Sequence, residues 1–189
     1  MMEEIKTAIN LLQKGNVVAL PTETVYGLAA DASNNAAVAK IYELKNRPSF
    51  NPLIIHIYSA EDAQKIGVFS KAALEYAKKY WPGPLTIVVP KRDKNFASLA
   101  SAGLQTVGLR VPAHPMMREV LKSGLMLAAP SANISGNISP TTAGHVRKNF
   151  PPASGGDIRG GDLYILDGGT CEVGLESTII TFDENDNPV

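Results

Sequence analysis

Short apolar runs alternate with segments of helical period along the whole chain, and this alternation restricts the fold more than any other feature. Asn16–Pro21, Leu53–Tyr58, Leu85–Pro90, Thr106–Val111, Leu125–Ala129, Leu163–Leu166 and Ser177–Phe182 each read as a strand. Between them, residues 3–14 place Ile5, Ile9 and Leu12 on one helical face and stop at Gly15. A second helix, capped by Ser33, carries Val38, Ile41, Tyr42 and Leu44 and ends at Pro48. Stretches near 60–66 and 71–80 follow Ser59 and Ser70, whose hydroxyls suit a helix start. His114-Pro115 and Ser139-Pro140 open two more, because proline is compatible with the first helical position. The pattern predicts an α/β protein, a sheet flanked by helices, with residues 1–189 as a single domain and the polar residues 183–189 as a loose tail. Residues 151–161, with two prolines and four glycines, read as a mobile loop.

Composition removes several function classes. With 189 residues, 44% of them hydrophobic, the chain can bury a core without staples. Eighteen basic and eighteen acidic residues cancel, which argues against coating nucleic acid by bulk charge but leaves room for a local basic patch. Cys171 is the only cysteine, so no disulfide within the chain and no CxxC motif can form; its expected role is packing, in a reducing cytoplasm. The start, Met1-Met2-Glu3-Glu4, lacks the basic region of a signal peptide, and no run of about 18 apolar residues exists to span a membrane. Walker-type phosphate loops, G-x-G-x-x-G, H-E-x-x-H and G-x-S-x-G are all absent. His56, His114 and His145 are far apart in sequence, so no metal held by protein side chains is expected.

The informative residues are polar groups placed where a bland fold would not want them. In Leu53–Tyr58, His56 shares a face with Ile54 and Tyr58, either as a hydrogen-bonded core histidine or as part of a site. In Thr106–Val111, Arg110 shares a face with Thr106 and Gly108, opposite Val107, Leu109 and Val111. A guanidinium on an interior strand needs an anion, from a structural carboxylate or from a ligand carboxylate or phosphate. Lys45 and Arg47 end a helix, where the dipole alone favours cations, yet they run into Asn51 and the His56 strand as a polyphosphate site would require. Ala128-Ala129-Pro130-Ser131-Ala132-Asn133 combines small residues with a hydroxyl and an amide, and Ser139-Pro140-Thr141 continues toward a helix start.

Five blocks of this sequence together resemble the YrdC-domain family. They are Pro21-Thr22-Glu23-Thr24-Val25-Tyr26-Gly27-Leu28; Lys45-x-Arg47-Pro48 with Asn51-Pro52-Leu53-Ile54; Trp81-Pro82-Gly83-Pro84-Leu85-Thr86; Pro130-Ser131-Ala132-Asn133-x-Ser135-Gly136 with Ser139-Pro140-Thr141; and Asp167-Gly168-Gly169 with Gly174-x-Glu176-Ser177-Thr178. They fall in family order over about residues 15–180.

The resemblance implies a YrdC-like fold, a twisted mixed sheet flanked by helices around a large, positively lined concave cleft. It implies a nucleotidyltransferase of the short bacterial, TsaC-like form, a threonylcarbamoyl-AMP synthase. ATP, L-threonine and bicarbonate would give L-threonylcarbamoyladenylate and pyrophosphate, for threonylcarbamoyladenosine modification of tRNA next to the anticodon. It assigns Lys45 and Arg47 to catalysis. Those two, with Asn51, Thr106, Ser131, Asn133, Ser139 and Thr141, are assigned to ATP, and Thr24, His56, Arg110 and Ser177 to L-threonine. Arg110 would grip the threonine carboxylate with two parallel hydrogen bonds. Mg2+ would be held by the ATP phosphates rather than by side chains. Functional partners implied by the family are TsaB, TsaD and TsaE, with weak tRNA contact. The family's Leu-Arg-x-Gly segment is not found before Val189, which implies either weaker nucleotide affinity or substitution by another arginine such as Arg159. Competing readings are an RNA-binding module without catalysis, a carbamoyl-adenylate enzyme of the hydrogenase-maturation type, and a small-ligand binding protein.

Overall fold

A computed structural model describes residues 1–93, 97–151 and 163–189. In chain order the elements are α1 (Met2–Gln13), β1 (Val18–Leu20), β2 (Gly27–Asp31), α2 (Asn35–Lys45), β3 (Ile55–His56), α3 (Ala60–Ile66), α4 (Lys71–Tyr80), β4 (Leu85–Pro90), β5 (Thr106–Arg110), α5 (Pro115–Leu121), β6 (Leu127–Ala128), α6 (Ala143–Asn149), β7 (Tyr164–Ile165) and β8 (Thr178–Ile180). The strands form one mixed sheet in the order β7-β1-β2-β6-β3-β5-β4-β8. β1–β2, β2–β6, β3–β6 and β4–β5 are antiparallel, while β1–β7, β3–β5 and β4–β8 are parallel.

Side-chain alternation divides the sheet into two faces. One carries Ala19, Leu28, Ala30, Ile55, Ala128, Leu109, Ile87 and Val89, and α2, α3 and α4 bury Val38, Ile41, Ala63, Ile66, Ala73 and Ala77 against it. The other carries Val18, Leu20, Ala29, Leu127 and Ala129, covered by Ile5, Ala8 and Leu12 of α1 and Met117, Val120 and Leu121 of α5. That second apolar layer stops at β6. Beyond it, on the same face, β3, β5 and β4 present Ile54, His56, Thr106, Gly108, Arg110, Thr86 and Val88, and neither apolar cluster includes any of them.

Several sequence expectations are corrected. Asn34, not Ser33, caps α2, its side chain accepting from Ala36 N and Ala37 N, while the Ser33 hydroxyl donates to Asp31. β2 was not expected: Gly27-Leu28-Ala29-Ala30 has no β-branched residue, and burial between β1 and β6 makes it a strand. The Leu53–Tyr58 and Leu125–Ala129 runs pair as ladder strands only over Ile55–His56 and Leu127–Ala128. Ser139-Pro140 does not open a helix. The Pro140 carbonyl is engaged by Tyr26 N at 2.8 Å, and α6 starts three residues later with the Thr142 hydroxyl as its cap. Residues 183–189 are not a loose tail. Thr181 and Val189 exchange backbone hydrogen bonds, Asp183 accepts from Asn185 N and Asn187 N, and Asp186 accepts from Ala72 N at the start of α4. The loop expected to be mobile lies, apart from Pro151, outside the described residues.

Candidate active site

The uncovered part of the sheet is organised in rungs. The register pairs His56 with Arg110, and Ile87 with Leu109, so Thr86 stands level with Arg110 on the next strand. These three polar residues are all buried. One rung along, Gly108 lies between Ile54 and Val88; a Cβ there would meet Thr86 Cγ2 at 3.4 Å, Ile54 Cγ1 at 3.8 Å and Val88 Cγ2 at 3.9 Å. Glycine therefore leaves a shallow apolar floor between a polar rung and Thr106, which begins β5 on the same face. Thr106 is about 13 Å from Arg110 along the strand.

The polar rung is completed by the turn between β1 and β2. Thr22 Oγ1 accepts from Thr24 N and Val25 N at 3.2 Å each and donates to Val25 O at 2.6 Å, which folds the turn back over the sheet. Thr24 Oγ1 accepts from Arg110 Nη2 at 3.0 Å. Glu23 turns inward with it. One of its oxygens takes Arg110 Nη2 at 2.6 Å, and the other accepts from Ala113 N at 3.0 Å and His114 N at 3.3 Å, at the start of α5. Arg110 Nε donates to Gly83 O at 3.2 Å. Glu23 and Arg110 are 6% and 3% exposed, so the buried guanidinium already has its counter-ion and needs no ligand to justify it. The two-pronged grip expected for Arg110 is not available as drawn, because Nη2 and Nε are engaged; among the described residues Nη1 makes no hydrogen bond.

His56 sits beside this group with Nδ1 buried and unpartnered. Burial, reinforced by the Arg110 charge, pushes its pKa down to about 3, so the ring is neutral at physiological pH. Ser177 Oγ and Thr86 Oγ1 are 2.8 Å apart. The segment leading to Ser177 is tied to the turn, with Val173 N donating to Glu23 O at 2.9 Å and Gly174 N to Thr24 O at 3.1 Å. The structure thus brings Thr24, His56, Arg110 and Ser177 together.

The opposite end gathers where β6 finishes and β3 begins. Lys45, the last residue of α2, is 1% exposed; its ammonium donates to Ser131 O and Asn133 O, each at 2.5 Å. Burial first, and then the Arg47 charge, lower its pKa to about 8, while Glu176 opposes the shift. Arg47 donates from Nη2 to Pro52 O at 3.2 Å and from Nε to Asn51 O at 3.4 Å, holding the loop that feeds β3. Asn133 Nδ2 donates to Ile134 O and Asn137 O, leaving Oδ1 buried without a partner. Ser139 Oγ donates to Glu176 Oε1 at 2.5 Å, and the Thr141 hydroxyl lies 3.2 Å from His145 Nδ1. Thr106 is level with this end, two residues along β5 from Gly108, whose rung partner is Ile54. Arg159 lies outside the described residues.

Three residues were given no role from the sequence although each stands inside a quoted block. Glu23 neutralises Arg110, Thr86 completes the polar rung, and Glu176 faces Ser139. The first could have been found by asking which carboxylate answers a buried arginine. Among the described residues no group of three or more His, Cys, Asp or Glu could hold a metal ion. No helix among them is long and apolar enough to cross a membrane. A separate hollow of about 360 Å³, lined by Ile57, Tyr58, Lys65, Ile66, Leu121 and Met126 among others, shares none of the side chains above.

Comparison with known proteins locates this arrangement in a family. The Sua5/YciO/YrdC family model, described as telomere recombination, matches residues 10–189. A Bacillus subtilis protein named threonylcarbamoyl-AMP synthase is 44% identical over 180 residues, 94% of this chain and 50% of the relative. A putative threonylcarbamoyl-AMP synthase of Methanocaldococcus jannaschii is 33% identical over 187 residues, 97% of this chain and 84% of the relative. The crystal structure of P. abyssi Sua5 complexed with L-threonine superposes with a TM-score of 0.86 at 43% identity, covering 94% of this chain and 50% of that one. The chain thus spans about half the length of its Bacillus and P. abyssi relatives. On the strength of the family match, of relatives above 30% identity over nearly the whole chain and of the shared sheet architecture, the chain belongs to the Sua5/YciO/YrdC family.

Proposed function

We propose that this chain is a threonylcarbamoyl-AMP synthase, joining L-threonine, bicarbonate and ATP into L-threonylcarbamoyladenylate with release of pyrophosphate. The supporting observation is the pairing of a polar rung on the sheet, built on Arg110 and His56, with a second group past the end of β6 and before β3, built on Lys45 and Arg47. Relatives bearing that enzyme name, and a P. abyssi relative solved with L-threonine, support the same reading.

L-Threonine would bind at the polar rung. Nη1 of Arg110 is the donor still open to its carboxylate, Thr24 and the Ser177–Thr86 pair offer hydroxyls, and neutral His56 offers a ring nitrogen. Glu23 pins the guanidinium so that its position is set before the ligand arrives. The threonine amine attacks bicarbonate-derived carbon to give a carbamate and water. A carbamate oxygen then attacks the α-phosphorus, and pyrophosphate departs. Lys45 and Arg47 would offset the charge gathering on the phosphoryl oxygens, with Asn51, Ser131, Asn133, Ser139, Thr141 and Thr106 available to the remaining phosphates and the nucleoside. Mg2+ would enter with ATP as part of that substrate. The adenylate would pass to a transferase acting on tRNA in the cytoplasm, with TsaB, TsaD and TsaE as functional partners.

The test is pyrophosphate release from Mg-ATP with L-threonine and bicarbonate omitted in turn. Release that requires both supports the proposal. Release that needs neither, or salt-sensitive RNA affinity without any release, overturns it.

A further inference from the structure

Among the described residues, Glu176 is the acidic side chain that meets Ser139 at the Lys45 end of the site. It accepts from Ser139 Oγ at 2.5 Å and is one of the two side-chain charges acting on Lys45, the other being Arg47. Among the described residues its carboxylate has no other hydrogen-bond partner, and Leu175 before it is 72% exposed, so packing does not hold it in place. Its neighbours, in contrast, are fixed. Val173 and Gly174 are tied to the 22–24 turn, and Ser177 meets Thr86. The Gly174 φ of +72° lets the segment turn between these anchors. A carboxylate thus accepts from a hydroxyl, and its charge acts on a lysine, both of which on the reading above serve a phosphate.

We propose that the Glu176 carboxylate competes with polyphosphate for the Ser139 hydroxyl and the Lys45 charge, and that bound polyphosphate displaces it. This rests on the nucleotide reading of Lys45 and Ser139. A carboxylate and a phosphate compete for the same donors, and two anions cannot share them without mutual repulsion. A triphosphate, with up to four negative charges spread over three groups, competes better than a single exposed carboxylate. A lone inorganic phosphate has less advantage. Glu176 therefore lowers the affinity of this end for each phosphate-bearing anion by a common factor, the cost of its own displacement.

The experiment is calorimetric titration of the wild type and of Glu176→Gln with ATP, with pyrophosphate and with inorganic phosphate, alongside kcat and KM for ATP. The side chain is exposed and the change isosteric, so folding is not at risk. The proposal predicts that E176Q binds all three anions about three- to tenfold more tightly, by a similar factor for each, and that KM falls more than kcat changes. A structural role would weaken binding rather than strengthen it. Equal or weaker anion binding by E176Q, with ATP bound normally by the wild type, overturns this inference and leaves the nucleotide reading standing. Unchanged affinity with a collapse in kcat also overturns it and makes Glu176 a proton acceptor. If the wild type binds neither ATP nor pyrophosphate, both the inference and the nucleotide reading fall.

Discussion

Raising the pH should separate two roles of Lys45 that point in opposite directions. The ammonium is buried against the carbonyls of Ser131 and Asn133, and its pKa falls from 10.5 to about 8. Between those values the unfolded chain holds a proton that the folded chain has released, so stability must rise with pH across this window. At 1.36 kcal/mol per pKa unit the full gain is about 3 kcal/mol. The proposed function needs the charged form, so activity should fall over the lower part of the same window. At pH 9 about one tenth of Lys45 remains protonated, and kcat/KM for ATP, which reports the free enzyme, should be about tenfold below its neutral plateau. The assay is pyrophosphate release at limiting ATP from pH 6.5 to 9.5. Chemical denaturation over pH 8 to 10.5 is run in parallel on the wild type and Lys45→Met. Subtracting the variant removes other alkaline titrations and leaves the Lys45 contribution. A kcat/KM that is flat from pH 7 to 9.5, or wild-type and K45M stabilities with the same pH slope, would refute the reasoning.

Other consequences follow from particular contacts. Glu23→Ala should cost about 3–5 kcal/mol in denaturant melts, because it strands the buried Arg110 charge and two amides at the start of α5; a loss below about 1 kcal/mol would contradict the pairing. Arg110→Lys keeps a charge but cannot span Gly83, Glu23 and an Nη1 ligand at once, so the KM for L-threonine should rise about tenfold or more with the KM for ATP little changed; a selective ATP defect would reverse the assignment. Gly83→Ala should destabilise by about 1–3 kcal/mol and also raise the L-threonine KM, since a Cβ there would run into the Tyr80 carbonyl oxygen and shift the Gly83 carbonyl that holds Arg110; wild-type behaviour would show that this approach is not tight. His56 should stay neutral well below pH 6, with its ring proton resonances flat by NMR, and its burial should make stability fall as pH drops from 6.5 toward 3; a midpoint near 6.5 would place it in solvent.

Much of this architecture was legible in the sequence because helix caps, turn residues and strand alternation are local. Ser59, Ser70 and Pro115 mark the starts of α3, α4 and α5 where residue chemistry says they should. The strand with Arg110 opposite an apolar face was equally plain, and the structure keeps that alternation. What could not be read were pairings between distant segments. Arg110 demanded an anion, but its identity as Glu23, 87 residues away, depends on how the 21–26 turn folds over the sheet. Lys45 was legible as a cation near a strand, yet its hold on carbonyls 86 and 88 residues away was not, because backbone acceptors leave no mark on composition. β2 escaped because its small residues become a strand only through two neighbours that supply hydrogen bonds. The division of the site into an Arg110 end and a Lys45 end came from the resemblance. The structure places His56 and Arg110 on one rung of the sheet and the Lys45 ammonium on carbonyls that follow β6.

The most direct measurement is the identity of the product. Incubation of the chain with Mg-ATP, L-threonine and carbon-13 bicarbonate, followed by mass spectrometry, should yield an adenylate carrying the threonine and one labelled carbon, together with pyrophosphate. Only AMP or ADP, or an adenylate without the labelled carbon, would contradict the proposal that threonine, bicarbonate and nucleotide are joined at this site.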